Sequence, residues 1–141
     1  MKFLKTTFTF LVLLTLGCKS EIKQEEKQVY EDMMDIHNKV MPKMGEVNTI
    51  KRDLMTYNHS LDEKNLALKD SVLNTIMQLS ASEDRMSDWM DAISDRTKKV
   101  EQSKMLQFLK NEKDSISSIE NEVMLNLATA HEILNTTSKK Q

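Results

Sequence analysis

From Val29 onward, apolar and polar positions follow a helical beat. Val29, Met33, Ile36, Val40, Met44, Val47, Ile50 and Leu54 recur every three or four residues, which draws one stripe along a helix. Leu68, Val72, Ile76, Leu79, Met86, Met90 and Ile93 draw a second stripe. Leu109, Ile116, Ile119, Val123, Leu127, Ala130 and Leu134 draw a third, close to a heptad repeat. The pattern predicts helices over about 28–57, 61–94 and 101–136. Asn58-His59-Ser60 reads as the first turn, and Ser60 followed by Glu63 has capping-box spacing for the second helix. Ser94 to Lys99 is polar and reads as the second turn. Ser80-Ala81-Ser82 is not read as a break, because the second stripe resumes in phase after it. Three long helices with short turns predict an all-α fold, an antiparallel up-down-up three-helix bundle. Pro42 falls inside the first helix. It removes the bond to the Asn38 carbonyl and crowds it, so a kink is expected there, softened further by Gly45.

The residues before the stripe have a different grammar. Lys2 and Lys5 precede an apolar run from Phe8 to Leu16, followed by Gly17 and Cys18. A basic head, a short apolar run and a small residue at the cut describe an export signal. The run is about half of the ~20 residues a helix needs to span a bilayer. Cys18 is the only cysteine, so no intrachain disulfide is available. Its place directly after Gly17 resembles the lipobox of bacterial lipoproteins, in which the cysteine receives lipid and becomes the first mature residue. That motif prefers leucine three residues before the cysteine; here Thr15 stands there and Leu14 one further back. Ordinary cleavage after Thr15-Leu16-Gly17 is the competing reading. The expected organisation is a signal peptide over 1–17, a lipidated Cys18 with a polar tether over 18–28, a helical bundle over 29–136 and a frayed end over 137–141.

Composition supports helices and excludes some functions. Two glycines and one proline are too few for the turns of a many-stranded fold. Loss of the signal, with Lys2 and Lys5, leaves 18 basic residues against 22 acidic ones, a net charge of −4. That balance offers nothing to attract nucleic acid. The chain has no Gly-rich phosphate loop, no nucleophile elbow and no HExxH pair, so no enzyme is expected. His59 and His131 fall near turns, with nothing clustered around them.

Methionine is the unusual residue, with 11 in the chain. If the first two helices fold back at about residue 59, paired positions add to about 118, since each residue rises 1.5 Å. Met33 then comes level with about Arg85, and Tyr30 with about Asp88. A second fold-back at about residue 97 puts Met90 level with about Lys104. Met33, Met34, Met86, Trp89, Met90 and Met105 are thus expected at one end, with His37, Met41 and Met44 further in. The plain reading is a methionine-rich core. The sharper one is a soft-metal site for copper(I), with His37, Met33, Met34, Met41, Met44, Met86, Met90 and Met105 as candidate ligands. A pliable docking groove is a third.

The run Ile36-His37-Asn38-Lys39-Val40-Met41-Pro42-Lys43-Met44-Gly45, followed later by Trp89-Met90, resembles a group of short Met-rich helical bacterial lipoproteins. Some of these carry the label "viral A-type inclusion protein". The resemblance spans all three helices, and Met-Pro-Lys-Met-Gly is its most specific part. It implies an envelope lipoprotein with a helical domain and no known activity. An acidic pair follows the histidine in such proteins, whereas Asn38-Lys39 stands here. The resulting expectation is a lipid-anchored cell-envelope protein that acts through protein contacts. Its membrane partner is reached through Cys18, and its protein partner is an envelope protein or a second copy. His37, Pro42, Gly45 and Trp89 are its candidate contact or kink residues, and copper handling is the alternative.

Overall fold

A computed structural model describes the backbone of residues 3–138 and the side chains of residues 21–136. Among the described residues the fold is all-helical. α1 spans Phe3–Ser60, α2 spans Leu66–Lys99, and a short 3-10 turn at Gln102–Lys104 leads into α3, Met105–Ser138. The three α-helices pack together, α1 most extensively on α3. Cys18 and the expected cut at Gly17 fall on the first part of α1, where the side chains lie outside the described residues.

The apolar stripes become the core. Val29, Met33, Val40, Val47, Ile50 and Leu54 from α1 are buried, as are Val72, Ile76, Leu79, Met86 and Trp89 from α2. From α3 come Leu109, Ile116, Ile119, Val123, Leu127 and Ala130. Ile36, Met44, Met90, Ile93 and Leu134 lie at the edge of this core, partly buried. Leu68 departs from its stripe. It stands 37% exposed in the first turn of α2, before the first buried residue of that helix, Val72.

The helix ends differ from the sequence reading. Ser60 does not cap α2; it closes α1, its hydroxyl donating to the Tyr57 carbonyl at 2.7 Å. The expected capping box fails because Leu61 packs against the core, which draws the connection onward. Asp62 then makes the turn, its carboxylate accepting from the Lys64 amide and its carbonyl from the Asn65 amide. α2 starts after Asn65, whose carbonyl accepts from the Leu68 and Lys69 amides. At the far end, Ser94 to Lys99 is helix rather than turn. No glycine or proline interrupts it, and Arg96, Lys98 and Lys99 suit the negative end of a helix. The Thr97 hydroxyl also donates back to the Ile93 carbonyl at 2.7 Å. The second connection is therefore Val100-Glu101.

α1 passes through Pro42 without a change of element. α2 runs through Ser80-Ala81-Ser82 as expected, and the buried Ser82 hydroxyl donates to the Gln78 carbonyl. Asn126 on α3 completes that contact, donating to the Ser82 hydroxyl at 2.8 Å and to the Gln78 carbonyl at 3.2 Å. The segment read as a tether is helical in α1 and, from Glu21 on, mostly exposed. Glu25 pairs with Lys110 at 2.7 Å, and Glu26 accepts from Gln102 at 3.1 Å, so it touches the start of α3.

Candidate functional site

The most specific chemistry lies where α2 faces the first turns of α3. Leu109 and Ile116 are core residues, and Glu112 stands between them at the same helical spacing, 9% exposed. A carboxylate in such a position must be satisfied by donors, because burying it bare is costly. Two donors converge on one oxygen. The Trp89 indole N–H reaches Glu112 Oε2 at 2.9 Å, and the Arg96 guanidinium reaches the same atom at 2.8 Å. Trp89 and Arg96 lie seven residues apart on α2, two turns, and so share a face. Beside this node a shallow groove of about 350 Å³ is lined by Arg85, Asp88, Trp89, Arg96, Glu112, Ser115 and Ile119. Arg85 closes one end by pairing with Glu122 of α3. A second hollow, about 460 Å³, lies at the α2–α3 connection between Lys99, Lys104, Gln107 and Phe108.

On the other side of Trp89 sits the histidine the sequence singled out. His37 is partly buried. Its Nε2 lies 3.3 Å from the Met90 thioether sulfur, and its ring centroid is 6.0 Å from that of Trp89. Its Nδ1 is 3.3 Å from Asn38 Oδ1. A fold-back at residue 59 would have put His37 opposite a position about nine residues earlier on α2. The shift has a local cause: α1 continues to Ser60, and α2 begins only at Leu66.

The register therefore regroups the methionines. Met33 and Met86 are fully buried, and Met34, Met44 and Met90 pack against the same core at partial exposure. Met41 is 36% exposed. Met105 does not join them. Glu112, not Lys104, stands at the level of Trp89, which leaves Met105 about 10 Å away along α3 at 1.5 Å per residue. Trp89 is 6% exposed, so its indole is wall and hydrogen-bond donor rather than a free contact surface. Pro42 and Gly45 are both exposed, and a Cβ added at Gly45 would meet nothing within 4 Å.

Elsewhere, ion pairs clamp neighbouring helices. Glu83 of α2 accepts from Lys51 at 2.9 Å and Asn48 at 2.8 Å, and those donors hold its carboxyl below the ordinary range, Lys51 first, against opposing burial. Glu46 is lowered by Lys43 and then by His131, whose Nε2 is 2.9 Å away. Asp32 is lowered by hydrogen bonds from Gln28 and Lys113. The methionines and His37 were singled out from sequence, but Glu112 and Arg96 were missed. The available signal was an acid inside an apolar stripe, three residues after Leu109 and four before Ile116.

Among the described residues no group of three or more His, Cys, Asp or Glu side chains gathers in a way that would hold a metal, and no helix is long and apolar enough to cross a membrane. No protein-family model, curated protein or solved structure matches the chain.

Proposed function

We propose that this chain is an exported, lipid-anchored helical bundle of the cell envelope that acts through protein–protein contacts and not by catalysis. The anchor is Cys18, read from the signal that precedes it. The bundle runs up-down-up. In support, partners on α2 fall in number as those on α1 rise, His37 with Met90 and Asn48 with Glu83. Partners on α3 rise with α1, Asp32 with Lys113 and Glu46 with His131. Pro42 bends α1 on its exposed side, since the ring leaves the Asn38 carbonyl without its helical donor.

The observation that carries the contact reading is an apolar line on the outside of α2. Leu66, Leu73 and Met77 follow at intervals of seven and four, one helix face, and are 67%, 46% and 68% exposed. That face is turned away from the buried Val72 and Leu79, and three neighbouring apolar side chains in water are a common mark of an interaction surface. The test has two arms. A photocrosslinking residue at position 77 should capture one predominant envelope protein in intact cells, and Leu73→Glu should abolish the adduct. Diffuse labelling that Leu73→Glu leaves unchanged counts against the contact surface. Cys18→Ser should release the processed chain from membranes; a Cys18→Ser chain that still floats with them after cleavage of its signal overturns the anchor.

A further inference from the structure

We infer that His37 and Met90 form the centre of a binding site for a soft monovalent cation, Cu(I), where α1 meets α2. A neutral imidazole carries one N–H and one bare nitrogen. His37 presents Nδ1 to a carboxamide oxygen, Asn38 Oδ1, and Nε2 to a thioether, Met90 Sδ, both at 3.3 Å. The ring proton has two places. On Nδ1 it is donated to Asn38 Oδ1 and Nε2 turns a lone pair toward the thioether; on Nε2 it makes an N–H···S contact that a bound ion would displace. In either case an imidazole nitrogen and a thioether sulfur face one another at a distance that one ion can bridge.

The spacing suits that completion. A metal bound at about 2.0 Å to imidazole nitrogen and about 2.3 Å to sulfur, at a tetrahedral angle, holds the two atoms about 3.5 Å apart. The observed 3.3 Å needs only a small opening. The Nδ1 contact supplies the outer hydrogen bond that fixes a metal-binding histidine in its tautomer and orientation. Neither side chain is sealed in the core: both are partly buried, so an ion can reach them from solvent.

The donor set selects the ion. Imidazole and thioether are soft, uncharged ligands that suit Cu(I), whereas calcium and magnesium demand several oxygens. Met34 and Met41 lie three residues before and four after His37, on its side of α1, and supply the remaining thioether. Trp89 places an aromatic ring 6.0 Å from the imidazole, close enough for its emission to report an ion bound there. This inference is independent of the contact surface on α2, which lies on a different face.

The experiment uses the full-length chain in detergent, carrying Cys18→Ser so that no thiol competes, titrated anaerobically with Cu(I) against a chromophoric Cu(I) chelator. One equivalent should bind, Trp89 emission should fall in step, and X-ray absorption should show nitrogen and sulfur together around the ion. Met90→Leu, which keeps the side-chain volume, should weaken binding at least tenfold, and so should His37→Gln. Circular dichroism of each variant separates lost binding from lost folding, and Met124→Leu on the far side of α3 serves as the control that should leave affinity unchanged. Absence of saturable uptake overturns the assignment. So does an affinity unchanged in folded Met90→Leu, or a shell of sulfur alone, which would move the ion to the methionines without His37.

Discussion

Near the α1–α2 connection the core is closed by aliphatic side chains, Ile50, Leu54, Val72 and Ile76, with the buried Thr75 turning its hydroxyl back onto the Ser71 carbonyl. Around Trp89 the walls instead contain a carboxylate, a guanidinium, an imidazole and thioethers. The first region obeys only the non-directional rule that apolar surface leaves water. Its spacing of three and four residues would be nearly as well satisfied after a slip of one turn. The second region cannot slip, because the Trp89 N–H and the Arg96 guanidinium both need the one oxygen of Glu112. Aliphatic burial supplies most of the stability, and the polar node fixes which turn of α2 meets which turn of α3.

Substitutions on the two sides test that division. Leu79→Ala empties a fully buried site and should cost about 3 kcal/mol in chemical denaturation, as large-to-small core changes do. Glu112→Ala should cost less, about 2 kcal/mol, because it strands the buried Trp89 N–H while Arg96, 42% exposed, stays wet. Glu112→Gln should recover part of the loss, since an amide oxygen still accepts from the indole. If Glu112→Ala is neutral, the node contributes no more than a methylene of packing, and the contrast between the two regions fails.

Between the two regions lies the stretch of α1 with Pro42 and Gly45, where the helix has its poorest local credentials. Glycine in a helix interior is about 1 kcal/mol less favourable than alanine. Gly45 is exposed, and an added Cβ would meet nothing within 4 Å, so no close approach demands a glycine. Gly45→Ala should therefore raise stability by about 1 kcal/mol, read as a higher denaturation midpoint with an unchanged slope. A loss of stability instead would mean that α1 needs its softness there to follow the other helices.

The stripes made the core legible in the sequence: every α1 position from Val29 to Leu54 that they named is buried or partly buried. What they left unread has two physical origins. Helix ends depend on a few weak local contacts, so Ser60-Glu63 offered a capping box that Leu61, drawn into the core, overruled. Because ends set the register, that small error displaced His37 from its partner and pulled Met105 out of the cluster. The second origin is that charged residues read as solvent. Glu112 and Arg96 are ordinary surface types, and only the three-dimensional meeting with Trp89 turns them into a node. His37 with the methionines around it was legible as chemistry because those residue types are rare on a solvated face; its partner, Met90, was not legible as a contact.

The smallest expected effect concerns the clamp that ties α1 to α2 between the two regions. Glu83 bonds Lys51 and Asn48, and its carboxyl is held below its ordinary value of 4.5, with Lys51 the larger cause. A group whose folded pKa lies below its unfolded one favours the folded state only while it is ionised. The contribution is therefore full above about pH 4.5, declines as the pH falls through the folded value, and is absent once both states are protonated. The pair is partly exposed, Lys51 at 18% and Glu83 at 31%, so the effect should stay below about 1 kcal/mol. Thermal melts from pH 6 down to pH 3 should show the native chain losing slightly more than Glu83→Gln, which has no charge there to lose. Salt should shrink the difference at pH 6, because an exposed pair is screened. Parallel curves for the two chains would leave Lys51–Glu83 as geometry without energy, and the register between α1 and α2 would then rest on packing and on uncharged polar contacts such as that from Asn48.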